Sequence, residues 1–311
     1  MSGERAGPVA GRYLLLDQIG AGGMGSVWRA RDLQTGELVA AKVLGQHSGA
    51  LIARFMREQA IRLRHPHVVA PTGWAAEGDL VLLTMDLVTG GSVADLLREH
   101  GPLPDGLVAA VLEQTLHALG AVHASGLVHR DVKPANLLLE PTDDDRVHVR
   151  LGDFGVAVTL AGERLTTSPA AVGTEGYMAP EQAAGQPPDP RQDLYAVGML
   201  GVHLLTGARP VRGVCLPSSP LRPLLERLLA DDPGHRPDDA QAALVLLRRL
   251  AVPPAPGPWG HRRLGPPPDH RDRPPRRPVG GSAALLPFLV LGVSLGVTVG
   301  CVLLIGRMLG L

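Results

Sequence analysis

The hydrophobic rhythm of this chain changes part-way along, and that change restricts the folds open to it more than any other feature. Tyr13 to Ile19 is apolar-rich and runs into Gly20-Ala21-Gly22-Gly23-Met24-Gly25. Ser26 to Arg29 follows, then a turn at Gln34-Thr35-Gly36, then Glu37 to Leu44 with Val39, Ala40 and Val43. This reads as strand, glycine-rich turn, strand, turn, strand. Residues 51–64 carry Leu51, Ile52, Phe55, Met56, Ile61 and Leu63 at helical spacing, and Asp79 to Leu87 is strand-like again. Beyond Gly91 the pattern is mainly helical, as in Leu107 to Ala124 and Asp193 to Leu205. A β-rich first third followed by an α-rich remainder predicts an α+β chain with two unlike lobes.

Composition narrows the function. Thirty basic residues balance thirty acidic ones, so no whole-chain basic surface for nucleic acid is expected. Hydrophobic residues make up 45% of the chain, enough for a core. Cys215 and Cys301 are the only cysteines, which excludes a disulfide scaffold and any multi-cysteine metal site. Of the 30 basic residues only Lys42 and Lys133 are lysines. Two lysines that survive so strong an arginine bias mark positions to examine.

The C-terminal part differs from the body. Residues 283–306 form 24 positions without a charge, long enough for a single membrane-spanning helix. A buried core helix is the other reading, but core helices of this length usually keep one polar face. Before the run, residues 251–282 hold ten prolines and five glycines and read as a disordered or semi-extended linker. Arg262, Arg263, Arg271, Arg273, Arg276 and Arg277 lie in it, whereas only Arg307 follows the run. The positive-inside rule then places the body in the cytoplasm and residues 307–311 outside, as a single-pass protein of the cell membrane. Those arginines either touch anionic headgroups or only set orientation. Gly292, Gly296 and Gly300 fall on one helix face, which fits either homodimerisation through close helix approach or the general glycine content of the chain. Residues 1–11 read as a tail without a secretory h-region, leaving 12–250 as the domain.

Within that domain, Gly20-x-Gly22-x-x-Gly25 alone is weak evidence, because dinucleotide-binding turns share its spacing. Here a strand rather than a helix follows, which favours a flap whose bare backbone covers nucleotide phosphates. Lys42, at the end of the third strand, can reach phosphates, and Glu58 is the candidate carboxylate to hold it. Residues 129–136 read His-Arg-Asp-Val-Lys-Pro-Ala-Asn and are far more specific. Asp131 can orient the proton of an attacking hydroxyl, Lys133 can neutralise charge on a transferred phosphoryl, and Asn136 offers an amide oxygen to a hard cation. Asp153-Phe154-Gly155 supplies a carboxylate for the same cation, and Ala179-Pro180-Glu181 closes the segment that Asp153 opens.

These motifs, in this order over residues 12–250, resemble the bacterial eukaryotic-like, membrane-anchored protein serine/threonine kinase family. The resemblance implies the two-lobed kinase fold, ATP with Mg²⁺ or Mn²⁺, protein substrates and a role in signalling. Gly20, Ala21, Gly22, Gly23 and Gly25 would cover the phosphates. Val27, Ala40 and Leu138 would sandwich adenine, Met85 would guard the back pocket, and the backbone from Asp86 to Val88 would pair with the base. Lys133 after Asp131 resembles the Ser/Thr rather than the Tyr subgroup, and Thr174 would contact both. Asp193 would brace the catalytic loop and Glu181 would pair with Arg236, both structural roles.

Arg130 precedes Asp131, so a phosphorylated activation loop would supply its counter-charge. Thr166, Thr167 and Ser168 lie where such autophosphorylation sites sit, or are an ordinary polar loop. The family normally has more chain between the helix ending near Thr206 and that containing Leu224 to Leu229. Here Gly207 to Pro223 is 17 residues, and the helix usual there looks shortened or absent. The alternative of a pseudokinase scaffold that binds nucleotide without transfer is disfavoured by the presence of Lys42, Glu58, Asp131, Asn136 and Asp153. A small-molecule phosphotransferase is disfavoured by the Ala-Pro-Glu segment and its preceding Gly-Thr.

Overall fold

A computed structural model describes residues 7–22, 25–44, 63–78, 80–143, 146–153, 158–159, 174–213, 215–255, 259 and 265. The N-terminal part is a five-stranded antiparallel sheet built from β1 (Tyr13–Gly22), β2 (Gly25–Asp32), β3 (Leu38–Leu44), β4 (Pro71–Glu77) and β5 (Leu80–Asp86). Its spatial order is β1-β2-β3-β5-β4. Alternation along β3 sends Ala41 to one face and Ala40 and Lys42 to the other. On Ala41's side a small core gathers Val9, Tyr13, Ala30, Ala75 and Leu82. Val27 pairs with Lys42, Arg29 with Ala40, and Ala40 with Met85, so these five side chains share the opposite face.

Strand β4 carries no clear sequence signal. It begins with a proline and has Gly73 near its middle, both of which weaken a strand pattern. Its place at the sheet edge accommodates the proline, and the register slips between Pro71 and Gly73. A Cβ on Gly73 would lie 2.9 Å from Thr84 Oγ1, so the glycine lets the strand approach β5. The N-terminal boundary also differs from the expected tail. Val9 is already buried in the small core, and the Ala10 amide donates to Glu77 Oε2 at 2.9 Å.

The remainder is mainly helical: α1 (Val93–His100), α2 (Asp105–Ala124), α3 (Pro180–Ala183), α4 (Pro190–Thr206), α5 (Arg222–Leu228) and α6 (Ala240–Arg248). Short strands β6 (Leu127–Val128), β7 (Leu137–Leu139), β8 (Val149–Leu151) and β9 (Val158–Thr159) pair as β6 with β9 and β7 with β8. Helix α1 starts at a capping box, in which Ser92 and Asp95 each accept a backbone N–H of the other. Helix α2 buries Leu107, Val108, Val111, Leu112, Leu116, Leu119 and Val122, spaced by three and four. Among the described residues it is the one helix long and apolar enough to cross a membrane, and half of it is packed inside the domain.

Helix α4 is framed by local chemistry. Asp189 caps its first turn, Pro190 sits at its first position, and Gly207 ends it in the left-handed region at φ 69°. A Cβ on Gly201 would lie 2.7 Å from Leu225 Cδ2, so bare backbone allows α5 to pack close. No helix occurs among the described residues between Gly207 and Leu221, in keeping with the shortened segment read from the sequence.

The stretch after α6 is only partly as expected. Residues 251–255, with Trp259 and Gly265, are placed against the domain rather than left as free linker. The chain divides into Met1–Pro268 and Asp269–Leu311, and all of the second unit, including the apolar run 283–306, lies outside the described residues.

Leu116 is fully buried at the centre of α2. Leu116→Ala is expected to destabilise the domain by about 2–5 kcal/mol through the cavity it leaves, read as a lower urea midpoint with an unchanged slope.

Candidate active site

The turn between β6 and β7 carries the site. Arg130 within it has φ 65°, a left-handed conformation that costs a non-glycine residue energy. A buried carboxylate holds it there. Asp193, in the first turn of α4, has no exposed surface and accepts the backbone N–H of His129 at 2.8 Å and of Arg130 at 2.7 Å. It also receives His123 Nε2 at 2.8 Å. Burial alone would raise the Asp193 carboxyl. The His123 contact and the backbone N–H bond outweigh burial and hold the carboxyl below the usual carboxylate range. His129 is fully buried and links two strands of the site. Its Nδ1 accepts from the Asp131 amide at 3.3 Å, so Nε2 carries the proton and donates to Gly152 O at 3.0 Å.

Asp131, Lys133, Asn136 and Thr174 form one hydrogen-bonded cluster. Thr174 Oγ1 donates to Asp131 Oδ1 at 2.7 Å. Lys133 Nζ lies 2.7 Å from both Thr174 Oγ1 and Asp131 Oδ2. Asn136 Nδ2 donates to Asp131 O at 2.8 Å and to Asp131 Oδ2 at 2.9 Å. The asparagine's amide nitrogen is thereby committed, which leaves its oxygen as the atom to offer a ligand. The Asn136 backbone carbonyl accepts from the Gly152 amide at 2.9 Å, tying this turn to the residue before Asp153. Asp153 has φ 61° and forms an ion pair with Lys42.

An amide oxygen and a carboxylate are hard ligands and suit Mg²⁺, which takes few protein groups and keeps phosphate oxygens and water. The described residues contain no group of three or more His, Cys, Asp or Glu placed to hold a metal ion.

The glycine-rich turn joins β1 and β2, with Gly20 opposite Val27, Ala21 opposite Ser26 and Gly22 opposite Gly25. Gly25 has φ 141°, and a Cβ there would fall 2.0 Å from Val43 O, so only glycine fits. Beyond Lys42, Ala40 is buried and Val27 and Met85 half-buried on the same sheet face. Leu138 on β7 sits on the helical side, 3.5 Å from where a Gly152 Cβ would be. Asp86 ends β5 with its carboxylate accepting Arg150 Nη2 at 2.7 Å, and the Val88 side chain is buried. Arg150 also reaches Glu140 Oε2 and Val68 O, each at 3.0 Å.

On the far side, Arg236 is buried and grips Glu181 with two parallel bonds of 2.6 and 2.9 Å. Its other donors reach Ala230 O at 2.9 Å and Arg191 O at 3.0 Å, and its guanidinium lies 5.0 Å from the Tyr195 ring centre. Tyr177 and His203 hydrogen-bond nearby. Burial pushes the Tyr177 phenol up and the His203 imidazole down, so a neutral imidazole accepts from the phenol.

Some expected site residues lie outside the described residues: Gly23, Glu58, Phe154, Gly155, Thr166, Thr167 and Ser168. The described partner of Lys42 is Asp153, and the expected pair with Glu58 is not among the described contacts. Sequence reading assigned no role to His123 or His129. His129 stands directly before Arg130 in the same string, which is the one signal that could have drawn attention to it.

The whole arrangement matches a protein kinase domain model over residues 13–244. The chain belongs to the protein kinase domain family. The chain is 38% identical over 263 residues to the serine/threonine-protein kinase PkaA of Streptomyces coelicolor, covering 74% of this chain and 48% of that protein. It is 33% identical over 314 residues to pkn3 of Myxococcus xanthus, covering 90% of this chain and 55% of that protein. It is 38% identical over 227 residues to PknL of Mycobacterium tuberculosis, covering 71% and 55%. The chain thus spans about half the length of these curated relatives. The N-terminal sheet and the helical part beyond Gly91 fit the two-lobed kinase fold.

Two results follow from the buried ion contacts. Asp193→Asn is expected to cost about 3 kcal/mol at neutral pH. Because the folded carboxyl titrates below its unfolded value, this stabilisation is present above about pH 4 and is lost as pH falls through the folded value. Denaturation curves of wild type and variant should therefore converge in acid. Arg236→Met leaves Glu181 without its partner and should cost about 3–5 kcal/mol, measured the same way.

Proposed function

We propose that this kinase domain is a protein serine/threonine kinase that transfers the ATP γ-phosphate to Ser or Thr hydroxyls. The single observation that carries the reading is the Thr174–Asp131–Lys133 cluster. It shows a hydroxyl already donating to Asp131 Oδ1 with an ammonium beside it. An acceptor hydroxyl in the same relation to Asp131 is oriented for in-line attack, and its proton has a carboxylate to accept it. Lys133 would neutralise charge on the transferred group. Lys42, released from Asp153, would hold the α- and β-phosphates, and the hairpin through Gly20, Gly22 and Gly25 would cover them. Ala40, Val27, Met85 and Leu138 would enclose adenine, with backbone pairing along Asp86 to Val88.

Asn136 and Asp153 are the residues that would hold Mg²⁺, with Mn²⁺ as the other candidate. When bound, the cation supplies neutralising charge to the phosphates. Catalysis here is positioning and electrostatics, with no covalent enzyme intermediate. The relatives named as serine/threonine-protein kinases support the same activity.

We also propose, from sequence, that residues 283–306 anchor the protein in the cell membrane with the kinase domain in the cytoplasm, and that the Gly292, Gly296 and Gly300 face allows homodimers. Tethering would then favour reaction in trans at Thr166, Thr167 or Ser168, whose phosphate Arg130 would receive.

The test is the purified full chain in liposomes with labelled ATP, Mg²⁺ and a generic protein acceptor. Asp131→Asn should lower kcat by about 10²–10⁴-fold while nucleotide still binds. Lys133→Arg should not restore wild-type turnover, because a planar fork cannot take the place of a compact ammonium between Asp131 and Thr174. Label on wild type that persists unchanged in Asp131→Asn would overturn the assignment.

A further inference from the structure

The loop before β4 brings two imidazoles to a place where the helical part supplies two more. His65 and His67 lie in that loop, His117 on α2, and His148 directly before β8. The His67 ring is the hub. Its centre is 4.7 Å from that of His148, 5.7 Å from that of His65 and 6.3 Å from that of His117, on which it stacks. All four side chains are half-buried.

Their hydrogen bonds are those of neutral rings. His65 Nδ1 accepts the His67 amide at 3.2 Å, and His117 Nε2 accepts Arg248 Nη2 at 3.0 Å. An imidazolium has no acceptor and can make neither bond. His67 Nδ1 donates to Val149 O at 2.8 Å and His148 Nε2 donates to Pro66 O at 3.3 Å, so in each ring the other nitrogen is the one left to take a proton. The basic groups on the surrounding elements are Arg64 in the same loop, Arg146 and Arg150 at β8, and Arg248 on α6. The carboxylates there are already held, Glu113 on α2 by Arg248 at 2.8 Å, and Glu140 and Asp86 by Arg150 at 3.0 and 2.7 Å. Burial first, then the three neighbouring imidazoles, outweigh the Val149 bond and hold His67 below the usual histidine range. Burial and His117 do the same for His65.

This loop is also where the chain before β4 meets β8. The Val69 amide donates to Leu151 O and the Leu151 amide donates to His67 O, each at 2.8 Å. Gly152 and Asp153 follow Leu151 directly.

We propose that His65, His67, His117 and His148 form an acid-released latch. Neutral, the rings hold the loop before β4 on α2 and β8. Protonated, they repel one another and lose the bonds that need an acceptor, and the loop comes away. The release loosens Leu151, and with it the chain that leads into Asp153. The device stands apart from the catalytic cluster and does not depend on the proposed reaction. The opened chain binds protons more readily than the closed one, so the closed state is at full strength above about pH 6.5 and weakens as pH falls toward the folded values.

The experiment uses the full chain in detergent micelles, as wild type, His67→Gln and His65→Gln/His67→Gln. A glutamine amide can donate or accept a hydrogen bond in these places and does not titrate. Hydrogen exchange, corrected for the intrinsic effect of pH, is followed from about pH 7.5 to about pH 5.5 in peptides covering 63–70, 146–153 and, as reference, α5. Wild type should lose about tenfold protection over 63–70 and 146–153 with α5 unchanged, and the loss should shrink in His67→Gln and vanish in the double variant. Constant protection in wild type overturns the latch. So does an equal loss in α5, which is general acid unfolding, or an undiminished loss in the double variant. NMR titration of the His67 Cε1 proton in wild type needs no variant. It should give a midpoint below that of an ordinary histidine, and a midpoint at or above it overturns the proposal.

Discussion

The buried carboxylate of Asp193 is the contact on which the site's geometry depends. It holds two successive backbone N–H groups of the turn between β6 and β7, at His129 and Arg130, and so keeps Arg130 in a conformation it would otherwise leave. Asp131 follows directly, and its carboxylate organises Asn136, Lys133 and Thr174 around itself. Asp193 can do this because α4 is fixed from every side. It is capped at Asp189, closed at Gly207, and buried along most of its length against α2 and α5. The turn between β6 and β7 therefore takes its geometry from the first turn of a helix held by the core.

Much of this was legible because backbone requirements and chemistry leave different marks. Strands β1, β2, β3 and β5 followed from apolar runs separated by glycine turns, and α2 and α4 from spacings of three and four. Asp131, Lys133, Asn136 and Asp153 stood out because a carboxylate, an ammonium, an amide and a second carboxylate in that order are what the proposed phosphoryl transfer would call for. Strand β4 did not stand out, since an edge strand tolerates Pro71 and Gly73 and so carries no strong pattern. The roles of His123 and His129 were hidden for another reason. Each is set by a partner far along the chain, Asp193 and Gly152, and no local spacing encodes that.

The segment after α6 teaches a related lesson. Its proline and glycine content reads as linker, and composition alone cannot distinguish a free tether from an extended strand laid on a surface. The distinguishing mark lies elsewhere in the chain, in a helix whose first turn carries Gly106 where any side chain would collide with Pro253 and Ala255. The bare backbone there leaves room for the segment that covers it.

The placement of the two lysines has a practical side. Lys42 is almost buried on the sheet face beside Asp153, and Lys133 sits between Asp131 and Thr174. Every other basic side chain among the chain's Lys and Arg residues is a guanidinium. Primary amines, apart from the α-amino group, are thus confined to these two positions. An amine-directed acylating reagent would have only Lys42, Lys133 and the α-amino group to find, and both lysine amines are held in ion pairs.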